Sequence, residues 1–240
     1  MNLLRSSLFK TSTARVSLDK ILPAAVKMPF RVSVEGNIGC GKSTFIKYFA
    51  KYPEVDAYME PIDLWRNVGG HNLLDLLYQD LKRWNFTFQS FVQLSRLDIQ
   101  TQDTDKSVQM FERSIQNNRF CFVEMARDSN LLSEPEYTVL CRWYDWIHDN
   151  MNVDLDLIVY LQSSPEVVYE RVQQRQRAEE QTVSLEYLKN LHVAYENWLL
   201  KSDDVPAPVL TLNADLDIEN MLRLYYSNKA AILGQKVFTQ

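Results

Sequence analysis

The residues best suited to chemistry in this sequence form an unbroken Gly-x-x-x-x-Gly-Lys-Ser motif at residues 36–43. In such a loop, glycines let backbone N–H groups curl around phosphate oxygens, the lysine reaches the terminal phosphates, and the serine hydroxyl supplies an oxygen to Mg²⁺. A strand pattern precedes the motif and a helix pattern follows it, so the positive end of a helix also faces the site. We therefore expect the chain to bind a nucleoside triphosphate. The candidate phosphate-binding residues are Gly36, Asn37, Ile38, Gly39, Cys40, Gly41, Lys42, Ser43 and Thr44.

The rest of the sequence narrows the class of phosphate-loop protein. It contains no Asn-Lys-x-Asp guanine motif and no LSGGQ-like transporter signature, and it is short for a mechanical ATPase. A single loop in a chain of this size is typical of a small-molecule kinase. In such an enzyme the protein mainly positions the reactants and neutralises charge during phosphoryl transfer.

Charged residues at two further predicted strand ends could act on the group that receives the phosphate. Glu60 follows a predicted strand at 56–59, and Glu112 and Arg113 follow an apolar Val-Gln-Met-Phe segment. Ligands of open parallel sheets bind outside the carboxyl ends of the strands. A carboxylate there could orient or remove the proton of an acceptor hydroxyl. A helix-capping or surface role for Glu60 is the alternative.

A polar stripe runs along a predicted helix at 86–102. Its members recur at steps of four, three and four residues and so share one face of the helix; they are Gln89, Gln93, Arg96 and Gln100. Such a stripe is usually the solvent face of a helix, yet amides and a guanidinium beside aromatic residues would also suit the edge of a heterocyclic base. The spacing alone does not decide between these interpretations.

Three arginines, Arg171, Arg175 and Arg177, lie within seven residues near the end of another predicted helix. An arginine-rich turn of this kind is able to fold over a triphosphate and neutralise the charge of the transition state. A salt-bridged surface helix is the alternative interpretation.

The elements that must position these residues are short apolar strands that alternate with longer helices. This alternation predicts a parallel sheet covered by helices on both faces. The predicted strands are 31–35, 56–59, 108–111, 155–161 and 209–212. The predicted helices are 42–51, 73–83, 86–102, 136–150, 165–177 and 185–200.

Composition places the chain among ordinary globular proteins. Of its 240 residues, 46% are hydrophobic and 24% are charged, and the net charge is −5. The acidic balance argues against nucleic acid as a partner, because phosphate contacts need a basic surface. No apolar run reaches the roughly 18–20 residues of a membrane helix, and three cysteines without a CxxC pair argue against a disulfide scaffold. We expect a soluble, reduced, intracellular protein with no membrane partner.

The charge is divided unevenly along the chain. Residues 1–28 carry five basic residues and one acid, a net charge of +4, which leaves −9 for residues 29–240 of a chain whose total is −5. The segment is also rich in Ser and Thr, as in a mitochondrial transit peptide. A disordered tail is the alternative, and Met28 could start a cytosolic form. We predict a mitochondrial protein with one domain at 29–240.

Five motifs resemble, in their order, those of the deoxyribonucleoside kinases, above all the branch of mitochondrial thymidine kinase and the insect multisubstrate enzyme. They are Val-Glu-Gly-Asn-Ile-Gly at 34–39, Glu-Pro-Ile-x-x-Trp at 60–65, Phe-Gln-Ser at 88–90, Glu-Arg-Ser at 112–114 and Arg-x-Arg-x-Glu-Glu at 175–180. The resemblance covers about residues 30–226. It implies an α/β phosphate-loop kinase with a five-stranded parallel sheet flanked by helices and an Arg-rich lid, dimeric in most members. Such an enzyme moves the γ-phosphate of ATP to the 5′-hydroxyl of deoxyribonucleosides in nucleotide salvage.

The resemblance also implies roles for the catalytic candidates. Glu60 matches the family's general base at the 5′-hydroxyl, and Arg113 would hold that carboxylate and stabilise the transferring phosphoryl group. Ser43 and Glu112 would hold Mg²⁺, and Glu112 is the second candidate for the proton acceptor.

Further residues are implied to bind the two substrates. Gln89 would pair with the base, while Tyr78 and Glu180 would bind the sugar 3′-hydroxyl. The residues implied to pack on the base are Trp65, Phe88, Val92 and Phe122. Those implied to contact ATP are the lid arginines Arg175 and Arg177, Arg171 over the adenine, and Leu216, Asp217 and Ile218 in a loop beside it.

Two positions are implied to decide the nucleobase. Arg96 stands where thymidine-preferring members carry an apolar residue, and Asn118 stands where members with that arginine carry an aspartate. An arginine at 96 without an aspartate at 118 predicts broad base specificity in which purines are tolerated.

Two other interpretations compete with that of an active nucleoside kinase. A catalytically inactive accessory subunit of respiratory complex I shares this fold, but its catalytic positions would be eroded, whereas Lys42, Glu60 and Arg113 are present here. A nucleoside monophosphate kinase would need extra cations at the acceptor site, where Glu60 would repel a phosphate.

Overall fold

Five parallel strands form one sheet in the computed structural model, which describes residues 28–235. In chain order the strands are β1 (Phe30–Glu35), β2 (Val55–Tyr58), β3 (Val108–Glu112), β4 (Leu157–Gln162) and β5 (Val209–Asn213). In space they lie in the order β2-β3-β1-β4-β5. The predicted five-stranded parallel sheet is confirmed, and each predicted strand lies within one or two residues of its observed bounds. The predicted leader, apart from Met28, lies outside the described residues.

Helices connect the strands and cover the sheet. Within residues 28–235 the α-helices are α1 (Lys42–Phe49), α2 (Ile62–Arg66), α3 (Leu73–Gln79), α4 (Leu81–Gln100), α5 (Ile115–Asn117), α6 (Glu124–Asp128), α7 (Glu134–Asn150), α8 (Pro165–Arg175), α9 (Leu185–Glu196), α10 (Ile218–Ser227) and α11 (Lys229–Ile232). Two π-helical segments, Asn118–Val123 and Asn197–Lys201, extend α5 and α9, and a 3₁₀ segment spans Ala178–Thr182. None of these helices is both long enough and apolar enough to cross a membrane.

Several helix boundaries differ from the prediction; the helix expected at 86–102, for example, begins at Leu81. The helix expected at 73–83 is wrong as a single element, because Asp80 leaves helical geometry and its Oδ1 accepts a 3.0 Å hydrogen bond from the backbone N–H of Arg83. Asp80 therefore ends α3 and caps the start of α4. The helix expected at 165–177 ends at Arg175, since Gln176 adopts a left-handed conformation with φ of 53°.

The core consists of the apolar strand residues and the helix faces that pack on them. The sequence of α9 and the π-helical segment after it predicts an apolar face of residues at three- and four-residue steps. Leu188, Leu191, Tyr195 and Trp198 of this face are buried, while Leu185 is half-buried. All three cysteines, Cys40, Cys121 and Cys141, lie among the described residues and are free thiols, which agrees with the expected absence of a disulfide scaffold.

The polar stripe of α4 faces the interior. Gln89, Gln93, Arg96 and Gln100 are each at most 4% exposed, whereas Leu94 on another side of the helix is 52% exposed. The interpretation of this stripe as a solvent face is therefore wrong. Because buried polar groups need partners, the inward orientation directs this face of α4 toward the ends of the strands.

Candidate active site

The phosphate loop turns sharply out of the central strand. Gly36 has φ of 142°, and a Cβ at this position would lie 2.6 Å from the carbonyl oxygen of Leu161 in β4. Gly41, with φ of 101°, then starts α1. Both positions require the conformational freedom of glycine. The turn and the helix start are those of a phosphate-binding loop after a parallel strand.

Lys42 anchors its ammonium group on the loop itself. Its Nζ donates to the carbonyl oxygens of Gly36 at 3.0 Å and Asn37 at 2.8 Å. Burial lowers the pKa of Lys42, and the positive charge of Arg113 lowers it further. An anionic phosphate next to this amine would offset both effects. The side chain of Asn37 points elsewhere, since its Nδ2 donates to the carbonyl oxygen of Leu188 in α9.

Ser43 and Glu112 form an oxygen pair beside the loop. The Ser43 hydroxyl donates a 2.8 Å hydrogen bond to Oε1 of Glu112, and both side chains line the same cleft. Mg²⁺ in phosphoryl-transfer sites takes one or two protein oxygens and completes its shell with phosphates and water. One hydroxyl and one carboxylate fit that need. Residues 28–235 contain no cluster of three or more His, Cys, Asp or Glu side chains placed to hold a metal without phosphate oxygens.

Glu60 is held by two arginines. Nη1 of Arg113 lies 2.9 Å from both carboxylate oxygens of Glu60, and Nη2 of Arg96 donates to Oε1 at 2.8 Å. Burial alone would raise the pKa of Glu60, but the positive charges of Arg113, Arg96 and Lys42 outweigh it and lower that pKa to about 2. Glu60 is therefore an ionised hydrogen-bond acceptor at neutral pH, and the surface-acid and capping alternatives do not describe it.

Arg113 connects Glu60 to the phosphate loop. It follows β3 with φ of 64°, a left-handed conformation that is uncommon outside glycine and costs about 1–3 kcal/mol. Its backbone N–H donates to the carbonyl oxygen of Val34 in β1, and its Nη2 donates to that of Gly36 at 3.2 Å. The backbone turn thus points a guanidinium at the junction between the loop and Glu60.

A single cleft brings most of the predicted site together. The predicted residues that line it are Ile38, Gly39, Lys42, Ser43, Glu60, Trp65, Tyr78, Phe88, Gln89, Val92, Arg96, Glu112, Arg113, Phe122, Arg175, Arg177 and Glu180. The aromatic wall is rigid, because Trp65 packs edge-on against Phe88 with ring centroids 5.5 Å apart and donates from Nε1 to the hydroxyl of Ser95. Apolar walls with a few polar groups are typical of small-molecule sites.

The two predicted base-selecting residues do not bond to each other. Besides contacting Glu60, Nη1 of Arg96 donates to the carbonyl oxygen of Ser114 and to Oδ1 of Asn117. Asn118 lies behind the cleft wall, where its Nδ2 donates to Oε1 of Gln89 at 2.7 Å. Arg96 therefore belongs to the Glu60 cluster, while Asn118 contacts the cleft through Gln89.

The lid arginines converge on one acid. Arg175 and Arg177 both donate to Glu180, the latter at 2.8 Å. The preceding Glu179 accepts two bonds from Arg66 at the end of α2, at 2.6 and 3.0 Å. The lid is thus ion-paired both within itself and to the opposite wall of the cleft. These pairs place Glu180 in the cleft with both carboxylate oxygens already accepting from arginine.

A second pocket on the other side of the loop holds most of the remaining predicted ATP contacts, while Gly36 and Asn37 line neither pocket. It is lined by Gly39, Cys40, Gly41, Thr44, Arg171, Leu216, Asp217 and Ile218. Nη1 of Arg171 donates to the carbonyl oxygen of Ala214 at 2.8 Å, and its Nη2 donates to that of Leu216 at 3.3 Å. Arg171 therefore supports the loop at 214–218 from α8.

Several residues of the site are not among the predicted site residues. The additional cleft-lining residues are Met59, Ile62, Leu74, Leu77 and Tyr187. Asn117 and Tyr195 contact the arginines from behind. Tyr195 is buried as its place in the apolar repeat of α9 predicts, but the repeat does not reveal that its hydroxyl meets a charged group.

Comparison with known proteins agrees with this geometry. The sequence model of the family "Deoxynucleoside kinase" matches residues 32–233. The chain is 45% identical over 204 residues to mitochondrial thymidine kinase 2 of Homo sapiens, covering 84% of this chain and 77% of that protein. It is 37% identical over 220 residues to mitochondrial deoxyguanosine kinase of Xenopus laevis (79% and 83% covered) and 35% identical over 222 residues to deoxycytidine kinase of Mus musculus (79% and 85% covered).

These relatives are all kinases, and none supports the alternative of an inactive complex I subunit. The family match spans the phosphate loop, Glu60, the Glu-Arg-Ser turn and the lid in one continuous stretch. The chain therefore belongs to the deoxynucleoside kinase family.

Proposed function

We propose that this protein transfers the γ-phosphate of ATP to the 5′-hydroxyl of deoxyribonucleosides in nucleotide salvage. The observation that carries this proposal is the position of Glu60, an ionised carboxylate that shares one cleft with the phosphate loop and the aromatic pocket. A nucleoside in the aromatic pocket would present its hydroxyl to Glu60, and a triphosphate in the loop would present its terminal phosphate to the same point.

Charge neutralisation supports the same reaction. Phosphoryl transfer passes through a loose transition state whose charge lies on the equatorial oxygens. Lys42 and Arg113 supply two buried cations at this place, and Ser43 with Glu112 would hold Mg²⁺. When bound, the ion would neutralise the β- and γ-phosphate oxygens. With a pKa of about 2, Glu60 orients the hydroxyl by accepting its hydrogen bond, and the proton moves only as the new O–P bond forms.

The direct test is ATP-dependent phosphorylation of the four deoxynucleosides by the wild type and by Glu60→Gln. Removal of a positioned proton acceptor is expected to lower kcat about 10²–10⁴-fold. Equilibrium binding of ATP serves as the control and should change little. Near-normal turnover by Glu60→Gln would remove Glu60 from its role, and a wild type inactive on all four deoxynucleosides would contradict the proposed function.

We further propose broad base specificity in which purines are tolerated. Gln89 places a neutral amide in the cleft, and an amide offers one donor and one acceptor side by side. Each of the four bases presents a matching donor–acceptor pair on its Watson–Crick edge. No carboxylate at residue 118 restricts that amide. A kcat/KM panel over the four deoxynucleosides is the test, and strict preference for thymidine would contradict the proposal.

We also propose that residues 1–28 direct the protein to mitochondria. Their composition supports this, and two of the relatives are named as mitochondrial proteins. A fluorescent reporter fused to residues 1–30 should enter mitochondria, while the chain begun at Met28 should remain outside. Diffuse cytosolic fluorescence of the 1–30 fusion would contradict the proposal.

Finally, we propose that the protein is a homodimer that associates through α4 and α7. The two helices pack on each other, since Nε2 of Gln93 donates to the carbonyl oxygen of Leu140. α7 leaves Trp143 and Trp146 57% and 53% exposed. Large exposed aromatic residues on one helix are typical of a surface buried by a partner.

A further inference from the structure

Four buried side chains and the candidate catalytic carboxylate of Glu60 form a closed hydrogen-bonded ring. The ring runs from Glu60 to Arg96, from Arg96 to Oδ1 of Asn117 at 2.9 Å, and from Nδ2 of Asn117 to the hydroxyl of Tyr195 at 2.9 Å. Nε of Arg113 donates to the same hydroxyl at 3.1 Å, and Arg113 returns to Glu60. Each guanidinium thus contacts Glu60 and one of the two neutral side chains, in addition to one backbone carbonyl oxygen, that of Ser114 for Arg96 and that of Gly36 for Arg113.

The ring holds two neighbouring cations in place without adding further charge. Two cations that converge on one carboxylate repel each other, and in a buried site that repulsion is poorly screened. The neutral pair of Asn117 and Tyr195 closes the far side, where it accepts from both guanidiniums without adding charge. Both residues are fully buried, so a donor left without its partner would lose its hydrogen bond with no water to replace it.

The ring also joins parts of the chain that lie far apart in sequence. Asn117 belongs to α5, directly after β3, and the hydroxyl of Ser114 accepts from its backbone N–H at 3.1 Å. Tyr195 belongs to the last turn of α9, just before the π-helical segment. The position of α9 is thereby coupled to the ends of the strands that carry Glu60 and Arg113.

We propose that Asn117 and Tyr195 are positioning residues for the transfer step, which fix the angle at which Arg96 and Arg113 meet Glu60. Neither residue lines the substrate cleft, so both act through the arginines. The inference rests on the proposed function, in which Glu60 and Arg113 serve phosphoryl transfer. Misplacement of a catalytic group by about 1 Å lowers a rate by up to about 100-fold.

Tyr195→Phe tests the inference, with Tyr160→Phe as its matched control. Tyr160 stacks on Tyr195 at 5.8 Å and is equally buried, but its hydroxyl donates to Glu196, outside the ring. Both variants lose one buried hydroxyl, so similar decreases in Tm are expected. Tyr195→Phe should lower kcat about 10- to 100-fold with little change in KM for ATP, and Tyr160→Phe should retain kcat. Equal kcat in the two variants would overturn the inference.

A double-mutant cycle tests whether the ring acts as one unit. Because loss of any member opens it, Asn117→Ala combined with Tyr195→Phe should lower kcat no further than the more impaired single variant. If the decreases in kcat of the two single variants multiplied in the double variant, the two contacts would be independent and the ring would not act as one unit.

Hydrogen exchange gives a readout that does not depend on activity. The Nε–H of Arg113, observed by ¹⁵N NMR, should exchange faster in Tyr195→Phe, which removes its acceptor. It should also exchange faster in Asn117→Ala, although Asn117 does not touch Arg113, because the hydroxyl of Tyr195 is no longer held. Unchanged exchange in Asn117→Ala would overturn the coupling. This measurement tests the coupling within the ring independently of activity. If the wild type phosphorylated no deoxynucleoside, that result would refute the proposed function but not the ring.

Discussion

Asn118 donates a 2.7 Å hydrogen bond from Nδ2 to Oε1 of Gln89, and both side chains are buried. Because Gln89 lines the cleft and Asn118 does not, Asn118 controls the orientation of the amide that faces the base. Two amides are able to exchange donor and acceptor together and keep one hydrogen bond in either orientation. The pair therefore allows Gln89 to present either Nε2 or Oε1 to the cleft.

Asn118→Asp should narrow the base specificity. A carboxylate only accepts hydrogen bonds, so it would hold Nε2 of Gln89 and leave Oε1 facing the cleft. Cytosine and adenine carry an amino donor (N4 or N6) where thymine and guanine carry a carbonyl oxygen (O4 or O6). They should then gain about 10-fold or more in kcat/KM over thymine and guanine, since a buried hydrogen bond contributes on the order of 1–2 kcal/mol. Asn118→Ala, which holds neither orientation, is the control and should stay near the wild-type ratios. If the ratios of kcat/KM between bases were the same in Asn118→Asp as in the wild type, Asn118 would have no role in base selection.

Arg96→Met should change how the free energy of unfolding depends on pH, because Arg96 affects the ionisation of Glu60. The pKa of Glu60 is about 2, below its ordinary value of 4.5, so its contribution to the free energy of unfolding is complete above about pH 4.5 and is lost as the pH falls toward 2. Removal of one cation raises this pKa. The variant should be less stable than the wild type at pH 7, and the difference should narrow between pH 4.5 and 2.

Urea denaturation across this pH range measures the effect of Arg96→Met. Lys82→Met, which removes an exposed cation from the same helix, is the control and should follow the wild-type profile. A constant difference between wild type and Arg96→Met at every pH would mean that Arg96 does not act on the Glu60 carboxylate.

Ser43→Ala and Glu112→Gln should weaken the use of Mg²⁺. Each removes one of the two protein oxygens proposed for the ion, so the Mg²⁺ concentration for half-maximal activity should rise about 10-fold or more. Because both serve one ion, the double variant should be less impaired than the product of the two single effects. Ser90→Ala removes a serine outside the cleft and should leave the Mg²⁺ titration unchanged. A normal titration for both single variants would remove these residues from metal binding.

Trp143→Glu should convert the proposed dimer to a monomer. A buried carboxylate would lose its hydration without gaining a partner, and the helix face that carries Trp143 would no longer be apolar. Sedimentation velocity should give about twice 28.1 kDa for the wild type and 28.1 kDa for the variant. Tyr226→Glu, which places the same charge at a 73% exposed site on α10, should remain dimeric. A monomeric wild type would contradict the dimer itself.

The sheet, the phosphate loop and the charged residues at the strand ends could all be predicted from the amino-acid sequence. These features depend on short-range rules: an apolar run of strand length, a glycine before a helix start, and a carboxylate directly after a strand. Glu60, Glu112 and Arg113 could therefore be named before their contacts were known.

The direction of the polar face of α4 and the residues that close the ring behind Glu60 depend on how the helices pack, and the sequence does not predict them. A helical repeat divides a helix into two faces, but it does not state which face is buried; here Gln89, Arg96 and their neighbours lie inside. The bond between Asn117 and Tyr195 joins residues 78 positions apart. Such a contact depends on where α9 packs against the strand ends, so no local pattern encodes it, and Tyr195 resembles an ordinary core residue until its hydroxyl is seen to meet Arg113.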